Sequence, residues 1–124
     1  MFILLTLMLA ALPVSAAENC TEGDQVHFYK TNRAFAQDWK TCGKDSWGYE
    51  QETSDCIREK YEMTDACGDC FGMFTSCAAS NCWGPCAINP FASEDDCRRC
   101  AEKACMNGLA SCTGVSKDKI PAID

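Results

Sequence analysis

Twelve cysteines and a single histidine are the side chains of this 124-residue chain best equipped for chemistry. A thiol can be a redox centre, a soft metal ligand or half of a cross-link, and its spacing and surroundings decide which. Cys67-Gly68-Asp69-Cys70 and Cys97-Arg98-Arg99-Cys100 have redox-type Cys-x2-Cys spacing. Redox work also needs one exposed thiolate of low pKa in a strand–helix–strand setting, and no alternating strand segment accompanies either pair. Cys82-Trp83-Gly84-Pro85-Cys86 has three residues between its cysteines where a redox motif has two, so it reads as a turn. His27, in Val26-His27-Phe28-Tyr29, excludes any site that needs two histidines and reads as a packed or surface residue. Carboxylates are plentiful, but on exposed helical faces they lack the buried surroundings that separate two pKa values for acid–base work. The expectation is therefore no enzyme: no catalytic residue, no cofactor and no metal site.

Cross-linking is what the gaps describe. From Cys70 to Cys86 they run Cys-x6-Cys-x4-Cys-x3-Cys, and from Cys97 to Cys112 they run Cys-x2-Cys-x4-Cys-x6-Cys, nearly the mirror image. An antiparallel helical hairpin requires such a mirror, because each step down one helix must meet an equal step up its neighbour. The mirror pairs Cys70 with Cys112, Cys77 with Cys105, Cys82 with Cys100 and Cys86 with Cys97, with a one-residue mismatch beside the turn, where geometry is loosest. On one helix Cys70, Cys77 and Cys82 share a face with Phe71, Phe74 and Ala78; on the other the cysteines share a face with Ala101, Ala104 and Gly108. Those small residues are expected to let the axes approach, since a disulfide holds Cα atoms about 5.5 Å apart. Cys20, Cys42, Cys56 and Cys67 remain, with three connectivities open to them. The preferred one joins Cys42 to Cys56 across a first helical hairpin and Cys20 to Cys67.

Helices must position these residues. Residues 32–42 read as a short helix with Thr31 as N-cap, Phe35, Trp39 and Cys42 on one face, and Gly43 as its stop. A second is expected over about 49–62, with Ser46 as an upstream cap and Ile57 and Tyr61 at helical spacing. A third runs over about 65–82 and ends at Trp83-Gly84-Pro85. A fourth covers 94–112, opened by Ser93 with Asp96 in a capping-box pattern and followed by Gly114 as C′ residue. Residues 115–124 show no helical pattern and are expected to form an extended or frayed tail. The fold class is all-α: one small disulfide-rich helical domain over 18–124, with a laddered hairpin and two shorter N-terminal helices.

Residues 1–17 read as a signal peptide. They are uncharged, with an apolar run over 2–12, a break at Pro13, and small residues in Val14-Ser15-Ala16-Ala17 for cleavage after Ala16 or Ala17. The run falls short of the ~20 residues that span a bilayer, and no transmembrane segment is expected in the mature chain. The destination is secreted or luminal through the secretory pathway, an oxidising compartment, with the plastid lumen as a minor alternative. The formal net charge is −7. Eight acids from Asp45 to Asp69 face only Arg58 and Lys60 there, a surface that repels phosphate backbones and anionic lipids and so disfavours a nucleic-acid partner. Solubility, a basic partner or loosely held divalent cations remain as its uses, although no Asp-x-Asp-x-Asp-Gly calcium loop is present. Asn19-Cys20-Thr21 is an Asn-x-Thr sequon, which makes Asn19 a candidate glycosylation site.

With Ala110-Ser111-Cys112-Thr113-Gly114 closing the ladder, residues 67–114 are similar to cysteine-rich exported proteins of dinoflagellates and related microalgae, in which a Cys-x2-Cys start and a Cys-[Ser/Thr]-Gly close recur. The resemblance implies an exported or luminal protein and brings no catalytic residue with it. In outline the chain also resembles exported copper-storage bundles, whose reduced thiolates hold Cu(I); of their repeated Cys-x3-Cys runs, only Cys82 and Cys86 are matched here. The Cys-Cys-x2-His-Asp run of secreted helical phospholipases is absent, and the six-cysteine framework of saposin-like proteins does not fit. The favoured reading is a binding or assembly protein with a protein partner, as a subunit of a larger complex, with a diffusible signalling or defence protein as the alternative. Trp47, Tyr49, Trp83 and Phe91, in or beside turns, are the candidate contact residues, unless they pack the two halves together.

Overall fold

The computed structural model describes residues 19–29, 32–88 and 94–120. The signal segment 1–17, the caps Thr31 and Ser93, and the contact candidate Phe91 lie outside the described residues. Among the described residues five α-helices follow in order: α1 (Glu22–Gln25), α2 (Arg33–Asp45), α3 (Glu50–Tyr61), α4 (Asp65–Asn81) and α5 (Glu94–Thr113). A 3-10 turn at Val26–Phe28 extends α1, a π-helical turn at Gly84–Ile88 follows α4, and a last 3-10 turn covers Lys117–Lys119. Among the described residues there is no strand, and no helix is long and apolar enough to cross a membrane.

Local chemistry accounts for the helix ends. Thr21 opens α1 with a capping box, its hydroxyl accepting from the Asp24 amide while the Asp24 carboxylate accepts from the Thr21 amide. Asn32 caps α2, its side-chain oxygen accepting from the Phe35 amide at 3.2 Å. Helix α2 does not stop at Gly43 but runs through it to Asp45. Its end is a Schellman motif: the Gly48 amide donates to Gly43 O at 3.0 Å and the Trp47 amide to Lys44 O at 3.2 Å. Ser46 thus belongs to the end of α2 rather than to the start of α3, whose N-cap Tyr49 makes no side-chain cap. Acids in the first turn of α3 and Arg58 and Lys60 in its last turn suit the helix dipole.

Helix α4 is central, and each of its faces meets a different neighbour. Phe71 and Phe74 reach into an aromatic core with Phe28, Phe35 and Trp39, where the Trp39 and Phe71 rings meet edge-to-face at 5.0 Å. Gly68 and Gly72 face α3 so closely that a Cβ on Gly72 would lie 2.3 Å from Glu50 O, and one on Gly68 2.5 Å from Arg58 Cγ. The third face carries the cysteines toward α5. Two expectations change here. Ala101 is buried at the hairpin contact, but Ala104 and Gly108 are exposed, and a Cβ on Gly108 would meet nothing within 4 Å; the disulfides themselves span the gap. Nor do residues 115–120 trail off: Val115 and Ile120 are buried in the core cluster, and Gly114, with φ +77°, turns the chain back toward it.

Candidate functional site

All twelve cysteine sulfurs are engaged. Disulfides join Cys70–Cys112, Cys77–Cys105, Cys82–Cys100 and Cys86–Cys97 between α4 with its following turn and α5, the four mirror pairs, and Cys42–Cys56 and Cys20–Cys67 in the N-terminal half. No cysteine is free. The ligand atoms of Cys20, Asp24 and Cys67 lie within 4.8 Å of one another, but the two sulfurs are bonded to each other, so they are not thiolate ligands. Such a sulfur inventory fits an oxidising, non-cytosolic environment.

The remaining titratable groups near the core serve the fold. His27 lies against Tyr61 with ring centroids 5.6 Å apart. Burial, a hydrogen bond donated to Asp38 and the Asp38 charge together push the Tyr61 hydroxyl up to about 12. Asp24, buried, accepts from the Thr64 amide at 3.0 Å and the Thr64 hydroxyl at 2.6 Å. Burial raises its pKa, but the bonds from Thr64 and Thr21 outweigh that and hold the carboxyl below its ordinary 3.8. A noncovalent clasp thus joins α1 to the start of α4 beside the Cys20–Cys67 bridge.

The Asn19 side-chain nitrogen faces inward. It donates to Cys112 O at 2.9 Å and approaches the sulfurs of Cys112 and Cys70 at 3.6 and 3.9 Å. The Thr21 hydroxyl of the same sequon is taken by the α1 cap. A glycan on Asn19 therefore competes with the contact that seats the N-terminal strand of chain on α5.

Of the four contact candidates, three converge. Trp47, Tyr49 and Trp83 line one open groove of about 550 Å³, completed by Gly48 and by Ser76, Ala79 and Ser80 of α4. They do not pack the two halves together: Trp47 is 77% exposed, Tyr49 67% and Trp83 45%. The turn that carries Trp47 is pinned to α4 because Gly48, at φ +78°, brings its backbone so near that an added Cβ would lie 2.6 Å from Ala79 Cβ. Trp47 itself occupies the C′ position of the Schellman motif at φ 55°, where glycine is the usual residue and an L side chain costs roughly 1–2 kcal/mol. Ser76 and Ser80 were absent from the candidates read from sequence. The available signal was their i, i+4 spacing on one face of α4, with Trp83 just past its end.

No protein-family model, curated protein or solved structure matches the chain.

Proposed function

We propose that this protein is a small exported binding or assembly module rather than an enzyme, and that it contacts a protein partner through the groove lined by Trp47, Tyr49 and Trp83. One observation carries the reading: Trp47 holds a strained left-handed backbone while its ring stays in solvent. Residues held in sparsely populated backbone conformations cluster at functional sites. Exposed tryptophan and tyrosine are also the side chains that most often anchor interfaces. The signal-like residues 1–17, the six disulfides and the resemblance of residues 67–114 to exported algal proteins support a secreted or luminal setting.

The test is a comparison of wild type with Trp47→Gly, the substitution that restores the usual C′ residue, after each is mixed with the extracellular or luminal fraction of the source organism. Light scattering after size exclusion should show the wild type in a larger complex and the variant as free monomer. Equal shifts for both proteins would remove the groove from the contact. A wild type that stays monomeric would favour a diffusible signalling or defence role.

A further inference from the structure

We infer that the groove receives a proline-rich segment of the partner in the polyproline II conformation, flanked by basic residues; this rests on the groove being the contact surface. The lining supplies aromatic faces and neutral polar groups, and none of its residues is charged. Trp47 and Tyr49 are largely exposed and Trp83 is half-exposed, and among the described residues none of the three joins the ring contacts of the core. Their two indole N–H groups and one hydroxyl also lack partners among the described residues, in contrast to Trp39, whose Nε1 donates to Thr75 Oγ1 at 3.2 Å. The surface therefore offers donors beside apolar rings.

A polyproline II segment is the complement of that arrangement. It makes no internal hydrogen bonds, so its carbonyls need donors, and its stiff rings stack on aromatic walls with little entropy left to lose. Charge selects the flanks. Residues 70–88 carry no charge, and the groove turn is bracketed by exposed Asp45, Glu50 and Glu52 against Lys44, in a protein of net charge −7. A partner with arginine or lysine beside its prolines is attracted to that end, and an acidic one is repelled.

The experiment uses the full disulfide-bonded protein and a synthetic proline peptide of about nine residues, three polyproline turns, with an arginine at each end. Titration followed by calorimetry should show saturable binding that weakens with added salt. Trp47→Gly and Trp83→Ala should each weaken it by about tenfold or more. Equal binding by a peptide with the same arginines but alanine for proline would overturn the assignment, as would unchanged affinity in both variants. Preference for a neutral β-glucan oligomer over the peptide would also overturn it and make the groove a sugar platform. If the peptide fails while Trp47→Gly still abolishes the shift to a larger complex, the groove remains the contact surface and only the polyproline assignment falls.

Discussion

Toward α3, helix α4 presents Gly68 and Gly72, where the Arg58 side chain and the Glu50 backbone respectively leave no room for a side-chain carbon. Toward α5 it presents cysteines, and the Cα atoms of the Cys77–Cys105 and Cys82–Cys100 bridges stand 5.9 and 5.8 Å apart while Gly108 of α5 faces open space. The first contact is held by shape and is backed by the aromatic core around Phe71. The second is held by covalent rungs: Cys105, Met106 and Leu109 join the C-terminal half of α5 to the core, but toward the tip, past Phe74 and Ala101, only the partly buried Cys77 and Ala78 pack against it. Shape-held contacts fail when an atom is added; rung-held contacts fail when a bond is cut.

The largest effect should therefore come from Gly72→Ala. Its Cβ would meet a backbone oxygen that cannot move without shifting α3, so urea unfolding should show a loss of about 3 kcal/mol. Gly108→Ala, in the same experiment, should gain about 1 kcal/mol from helix propensity, because nothing opposes its Cβ. A neutral Gly72→Ala would mean that the two contacts of α4 are alike after all.

Next is the Asp24 clasp, which duplicates without covalent bonds what Cys20–Cys67 does with one. Asp24→Ala removes the acceptor of the Thr64 amide and hydroxyl and should cost about 2 kcal/mol. The carboxyl is held below its ordinary 3.8, so its contribution is full above that pH and is lost as pH falls through the lower folded value. Acid titration of unfolding should show wild-type stability dropping below about pH 4, and Asp24→Asn with that drop reduced. A wild type whose acid limb matches that of Asp24→Asn would assign the loss to the exposed acids of α3.

The rungs should matter locally. Replacing Cys86 and Cys97 with serine opens a loop already enclosed by Cys82–Cys100, so the expected cost is about 1–2 kcal/mol, below that of an isolated bridge. Hydrogen exchange should then speed up over 84–88 and 94–99 and leave the amides around Phe71 and Trp39 protected. Loss of protection in the aromatic core as well would show that the tip and the core unfold as one unit.

That division also decides what could be read from sequence. Cysteine spacing is a one-dimensional record of a hairpin, because covalent pairing demands equal steps along both helices, and so the pairs and the bounds of α4 were legible. The contact between α3 and α4 was not, although Gly68 and Gly72 are spaced for it. A glycine has no side chain whose type announces a partner, and close approach depends on where Glu50 and Ser54 lie in three dimensions. Helix α1 was missed because its capping box, Thr21 with Asp24, precedes only four residues and no apolar periodicity. The end of α2 lies past the expected stop at Gly43, because that glycine is inside the helix and the left-handed residue is Trp47. The groove was half legible: Trp47, Tyr49 and Trp83 were marked by position beside turns, but Ser76 and Ser80 join them only through the packing of Gly48 on Ala79.

The smallest effect is the one that bears most on the groove. Among the described residues, two other than glycine adopt left-handed backbone at helix ends, Trp47 after α2 and Glu62 after α3. Both are exposed, so replacing either by glycine removes the strain of an L side chain at little cost in packing. Each variant should be as stable as wild type or more stable, by up to about 1 kcal/mol, in thermal unfolding. Comparison of the two isolates the ring of Trp47. If Trp47→Gly matches Glu62→Gly, the indole contributes nothing to the fold, and its retention at a glycine position is accounted for by what it touches outside the chain. If Trp47→Gly is instead less stable than wild type by more than about 1 kcal/mol, the ring packs on α4 in a way that repays its strain, and the groove loses its claim as a contact surface.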